Sequence, residues 1–143
     1  MQIFTIGYEG ITQQALIDAL TQAQVRLLAD VRAVPLSRRP GFSKNILAAG
    51  LREAGIDYVG LKALGTPPEG REAARKCNLP RLRDIYLAQL DLPEAIVQGA
   101  GLRDLAQEQA TALLCFEREP RCCHRSLLIE AIMPEATVTH LFG

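Results

Sequence analysis

Side chains able to do chemistry cluster in four separated stretches. Near the start stand Tyr8 and Glu9, flanked by Gly7 and Gly10. Asp30 and Arg32 follow at the end of an apolar run, then Arg38, Arg39 and Lys44 in a loop, and finally Cys115 to Arg125 with Glu117, Cys123 and His124. In a strand, residues two apart point to one side, so Asp30 and Arg32 are expected to share a side. Burying either charge alone costs several kcal/mol, and Glu117 and Arg125 are the candidate partners. Two readings follow. Arg32 and Arg125 hold an anion while Asp30 or Glu117 takes or gives a proton, or the same groups form an ion-pair lattice that fixes loops.

The loop from Ala33 to Lys44 carries three cations and no acid, with Arg38 and Arg39 held between Pro35 and Pro40-Gly41. Proline stiffening lowers the entropic cost of holding those cations in place. The pattern suits a phosphate, a nucleotide or a nucleic-acid backbone. Phe42 either caps an aromatic or sugar surface or anchors the loop in the core.

Cys115 to Arg125 admits three chemistries. Cys115 and Arg121 have the Cys-then-five-then-Arg spacing of a thiol-phosphatase loop, but Glu117 and Glu119 would repel a phosphate and no Gly is present. A zinc site from Cys115, Cys122, Cys123 and His124 fits poorly, since paired ligands are normally two or more residues apart. The favoured reading is an anion site at a helix N-terminus, where free N–H groups and the helix dipole attract negative charge. His124 and Arg125 add donors there, and Cys123 is a candidate nucleophile. No metal or cofactor is expected.

The elements that must position these groups are legible as an alternation. Short apolar runs at Gln2–Ile6, Val25–Val31, Ile56–Val59 and Thr111–Phe116 read as strands, with a last one at Thr137–Leu141. Between them lie helical patterns: one capped by Thr12, one from Ser43 to Ala54 closed by Gly55, one at Leu82–Leu90, one at Pro93–Gln109 and one at His124–Met133. The segment from Gly60 to Pro80 reads as loop, with one helical turn near Arg71–Lys76. Strands alternating with helices predict a single α/β domain: a mainly parallel sheet of about four to five strands with helices on both faces. In such sheets ligands bind outside the carboxyl ends of the strands. Tyr8, Glu9, Asp30, Arg32, Glu117, His124 and Arg125 all fall there.

Three strings in this order, TIGYEG (5–10), DVRAVPLSRRPGFSK (30–44) and LLCFEREPRCCHRSLL (113–128), resemble the domain-of-unknown-function family 488, DUF488, known from bacteria and archaea. The resemblance implies a compact α/β domain with a shared polar site and no established reaction. Many relatives resemble Thr-Ile-Gly-His-Ser where this chain has Thr5-Ile6-Gly7-Tyr8-Glu9. A role assigned to that His therefore does not carry over, whereas Asp30-Val31-Arg32 and Cys123-His124-Arg125 match.

Composition bounds the rest. The 143 residues carry 16 basic and 16 acidic side chains, 48% hydrophobic and 22% charged residues. These values exclude disorder, coiled coil and a uniformly basic nucleic-acid binder. Residues 32–83 nevertheless hold eleven basic against four acidic residues, and residues 84–117 hold one against six. One cationic face is expected in a neutral chain. No apolar run is long enough for a membrane span, and no secretory leader is apparent. A cytoplasmic protein with reduced thiols is expected, its oligomeric state open. The function expected is an enzyme acting on a phosphorylated or nucleotide-like anion. The alternatives are a nucleic-acid or nucleotide binding module without catalysis and a thiol or metal protein. His140 and Cys77 carry no assigned role.

Overall fold

The pattern of burial along each strand shows why the sheet is central. In a computed structural model describing residues 1–143, β1 (Gln2–Gly7), β2 (Leu27–Asp30) and β4 (Thr111–Cys115) are buried almost throughout. Near-continuous apolar runs of this kind belong to strands covered on both faces. β3 (Asp57–Gly60) and β5 (Thr137–Leu141) are more exposed and form the edges. The order is β3-β2-β4-β1-β5 and every pairing is parallel.

Parallel pairing demands crossovers, and six helices supply them. α1 (Gln13–Gln22) begins where the Thr12 hydroxyl accepts the Ala15 N–H at 3.1 Å, as an N-cap should. α2 is Lys44–Glu53, α3 Pro68–Arg75, α4 Leu79–Leu90, α5 Pro93–Glu108 and α6 His124–Ile132. Alternation along the strands splits the core in two. Phe4, Ile6, Leu28 and Leu114 face one side with Leu16, Leu20, Leu47 and Leu51 of α1 and α2. Ile3, Ala29 and Leu113 face the other with Tyr86, Leu102 and Leu128 of α4, α5 and α6.

Two expectations are corrected. The segment 60–80 is not mainly loop: it holds a 3-10 turn at Lys62–Leu64 and the two-turn helix α3. Pro68 sits at the first helical position and Glu69 in the first turn, both favourable at a helix start. The thiols are not all free either: Cys77 and Cys122 form a disulfide that ties the α3–α4 junction to the segment before α6, leaving Cys115 and Cys123 as buried thiols. No helix is long and apolar enough to cross a membrane.

Candidate functional site

The carboxyl ends of β1, β2 and β4 are adjacent, and the next residues of each strand meet there. A cavity of about 320 Å³ lies at this edge, with Tyr8 after β1, Arg32 after β2, and Cys115, Glu117 and His124 from β4 to α6 on its walls. Gly7 makes the convergence possible. A Cβ built on it would stand 1.9 Å from the Glu117 carbonyl oxygen, so only glycine lets β1 pass that loop. Tyr8 N–H and Glu9 N–H then donate to the carbonyls of Cys115 (3.2 Å) and Phe116 (2.8 Å), continuing the ladder beyond the strands.

Asp30 and Arg32 form a buried pair. Arg32 Nε donates to Asp30 Oδ1 at 2.8 Å and Nη2 to Oδ2 at 2.7 Å. The Arg32 N–H (3.1 Å) and the Tyr58 hydroxyl (2.5 Å) also donate to this carboxylate. Four donors therefore satisfy Asp30, which burial would otherwise make costly. Tyr58 is pushed well above the ordinary phenol range by burial and by the Asp30 charge beside it. Arg32 is held firmly protonated, because the Asp30 partner outweighs the burial that opposes its charge. Its Nη1 donates to the Phe42 carbonyl at 2.8 Å. A guanidinium has five N–H donors, so two remain, and Arg32 stands on the cavity wall 5.3 Å from the Tyr8 ring centroid.

His124 begins α6 pointing inward. Its Nε2 lies 2.8 Å from the Val31 carbonyl and donates to it, which leaves Nδ1 facing Cys115 Sγ and Cys123 Sγ, each at 3.6 Å. Cys115 Sγ donates to Glu117 Oε2 at 3.0 Å. Burial raises the Cys115 thiol, reinforced by Cys123. Burial also opposes ionisation of Cys123, but hydrogen bonding from Cys115 and the charges of His124 and Arg125 outweigh it and hold that thiol low. Burial raises Glu117, as does the Cys123 charge.

The other expected residues stand elsewhere. Arg125 is buried and donates through Nη2 to the Glu117 carbonyl at 2.6 Å. It fastens the loop rather than facing the cavity, so the cationic first turn of α6 is answered by a backbone carbonyl. Cys123 lies behind the wall. Glu9 is exposed and accepts the Arg118 N–H at 2.9 Å. Arg38 and Lys44 are exposed off the cavity, and Arg39 donates to the Ile11 carbonyl at 2.5 Å. The cations of this loop therefore do not line the cavity. Phe42 is core, stacked on Tyr8 at 4.6 Å. Arg121 is exposed and off the wall, so no thiol-phosphatase loop forms with Cys115.

Sequence reasoning missed Arg71 and Arg75, which α3 presents on the same wall one turn apart. Arg71 donates to the Thr66 carbonyl at 3.0 Å, and neither arginine belongs to an ion pair. The Thr66 hydroxyl, buried and without a partner in the chain, is on this wall too. Val34, Leu36 and Phe116 line the rest, each with an exposed apolar side chain. The i, i+4 spacing of Arg71 and Arg75 was the available signal.

The family described as "Domain of unknown function DUF488" matches residues 12–132. The chain belongs to the DUF488 family. No match was found among curated proteins or solved structures. The DUF488 match covers the β2 end, α3 and the Cys115–Arg125 segment, and so all of the cavity wall except Tyr8.

Proposed function

We propose that this DUF488 protein is an enzyme whose substrate is a small phosphorylated or nucleotide-like anion bound in the cavity at the carboxyl edge of the sheet. The observation that carries the proposal is the pair Arg71 and Arg75, free of carboxylate partners, sharing a wall with Arg32 and with the Cys115–Glu117–His124 group. Unpaired guanidinium groups in a concave site suit phosphate oxygens, which they can meet bidentately. The apolar stretch of Val34, Leu36 and Phe116 suits a ring such as a nucleobase.

Roles follow from contacts. Arg71, Arg75 and the two spare donors of Arg32 bind the anion. Asp30, fully occupied, positions Arg32. Glu117, on the cavity wall with Oε2 hydrogen-bonded to Cys115, is the proton carrier. Turnover of phosphomonoesters, phosphodiesters and nucleotides by wild type and Glu117→Gln tests this. A substrate turned over by wild type, with kcat at least a hundredfold lower in Glu117→Gln and binding retained, supports it. Binding without turnover in wild type would leave a binding module in place of an enzyme.

A further inference from the structure

From the geometry of Cys115, Cys123 and His124 we infer a zinc site, held by the two sulfurs and His124 Nδ1 at the junction of β4 and α6. The three ligand atoms lie within 4.8 Å of one another, with Nδ1 3.6 Å from each sulfur. Metal–sulfur bonds of about 2.3 Å and a metal–nitrogen bond of about 2.0 Å in a tetrahedron place neighbouring ligand atoms roughly 3.5–3.8 Å apart. The observed nitrogen–sulfur separations are of that size before any ion binds.

The histidine is already oriented as a ligand. Its Nε2–H is spent on the Val31 carbonyl, so the lone pair is on Nδ1, toward the sulfurs. Outer-shell bonds of this kind fix tautomer and ring direction in zinc sites. The objection from sequence was the adjacency of ligands. The backbone removes it: Cys123 is extended (φ −119°, ψ 155°) and His124 opens α6, a bend that brings the neighbouring side chains to one point. The Cys77–Cys122 disulfide takes Cys122 out of contention and leaves one defined trio.

Charge and softness agree. Two thiolates and a neutral imidazole neutralise a divalent ion, so the buried site gains no net charge on loading. Thiolate with imidazole favours zinc over magnesium or calcium. Binding forms two metal–sulfur bonds and one metal–nitrogen bond, releases to solvent the two protons shared among Cys115, Cys123 and His124 Nδ1, and changes no oxidation state. Cys115 and His124 also line the cavity, and Glu117 Oε2 lies 3.0 Å from Cys115 Sγ. A fourth position is thereby available to Glu117 or to water from the cavity, the arrangement of a three-ligand zinc site. Metal binding is read without substrate, so its failure and the failure of the proposed activity are separable.

The full chain, with Cys115 and Cys123 reduced under a mild reductant and metal stripped by chelator, is titrated with Co2+ and then Zn2+. The expected result is thiolate-to-cobalt charge-transfer absorption saturating at one equivalent per chain, displaced by one equivalent of Zn2+. Affinity falls at least tenfold in Cys115→Ser, Cys123→Ser and His124→Ala and is unchanged in Cys122→Ser. Absence of a saturable band in the wild-type chain, whose folding is not in question, overturns the proposal. So does a band that persists unchanged in Cys123→Ser or disappears in Cys122→Ser.

Discussion

Asp30 accepts four hydrogen bonds, and each can be removed singly. Tyr58→Phe deletes one donor to a buried carboxylate and should cost about 1.5–3 kcal/mol. Arg32→Ala leaves Asp30 buried without its counter-ion and should cost about 3–5 kcal/mol. Urea unfolding of both variants checks the order. His140 supplies a pH dependence. Burial, and then the Arg125 charge, hold its pKa below the ordinary 6.5, and the Thr5 hydroxyl lies 2.6 Å from Nδ1. The folded chain thus favours the neutral ring, while the unfolded chain takes up the proton at higher pH. The stability from this group is fully present above about pH 6.5 and is lost as pH falls through the folded value. Unfolding free energy measured against pH should decline less below 6.5 in His140→Gln than in wild type. At this scale the sequence was informative about which residues are buried together and less so about their direction. Asp30 and Arg32 share a side as period-two geometry requires. Arg125 and Arg39 donate to backbone carbonyls, because a carbonyl across the fold leaves no trace in local spacing.

The elements place the site through two close approaches. Gly7 allows β1 to pass the Glu117 carbonyl, and Gly65 lies against Ala33, with a Cβ at position 65 only 2.2 Å from the Ala33 nitrogen. Gly7→Ala must push the Glu117 loop away, at a cost of about 1–3 kcal/mol by analogy with overpacked cores. It should also cut turnover more than Ala substitutions at exposed positions, which the same unfolding and kinetic assays report. The Cys77–Cys122 disulfide holds the end of α3 near α6 across 45 residues. On chain entropy alone its removal costs about 4 kcal/mol, and thermal unfolding of the Cys77→Ser/Cys122→Ser double variant, which frees no thiol beside Cys123, should show a lower midpoint with the cobalt titration unaltered. All five strands were legible from apolar runs, and α1, α2, α5 and α6 from caps and periodicity. α4 was legible from Leu82 onward, and α3 only as one turn near Arg71–Lys76, because Gly65, Pro67, Pro68 and Gly70 read locally as breakers. Pro68 at a helix start is in fact favourable, and Gly70 is buried where the helix passes Thr66.

Over the whole molecule, a chain of zero net charge concentrates its cationic surplus between residues 32 and 83. Only part of that surplus serves the cavity: Arg32, Arg71 and Arg75 line it, while Arg38, Arg39 and Lys44 do not. The convergence of β1, β2 and β4 ends followed from parallel topology, whereas the choice of cations depended on where α3 folds. The most direct test is thermal denaturation of the full chain with inorganic phosphate, phosphomonoesters and nucleotides, in wild type and in the Arg71→Ala/Arg75→Ala double variant. A phosphorylated ligand at a hundred times its Kd should raise the wild-type midpoint by about 5–10 °C and the double variant's by less than a quarter of that. A wild-type chain stabilised by none of these compounds, or a double variant stabilised as fully as wild type, would contradict an anion site in this cavity.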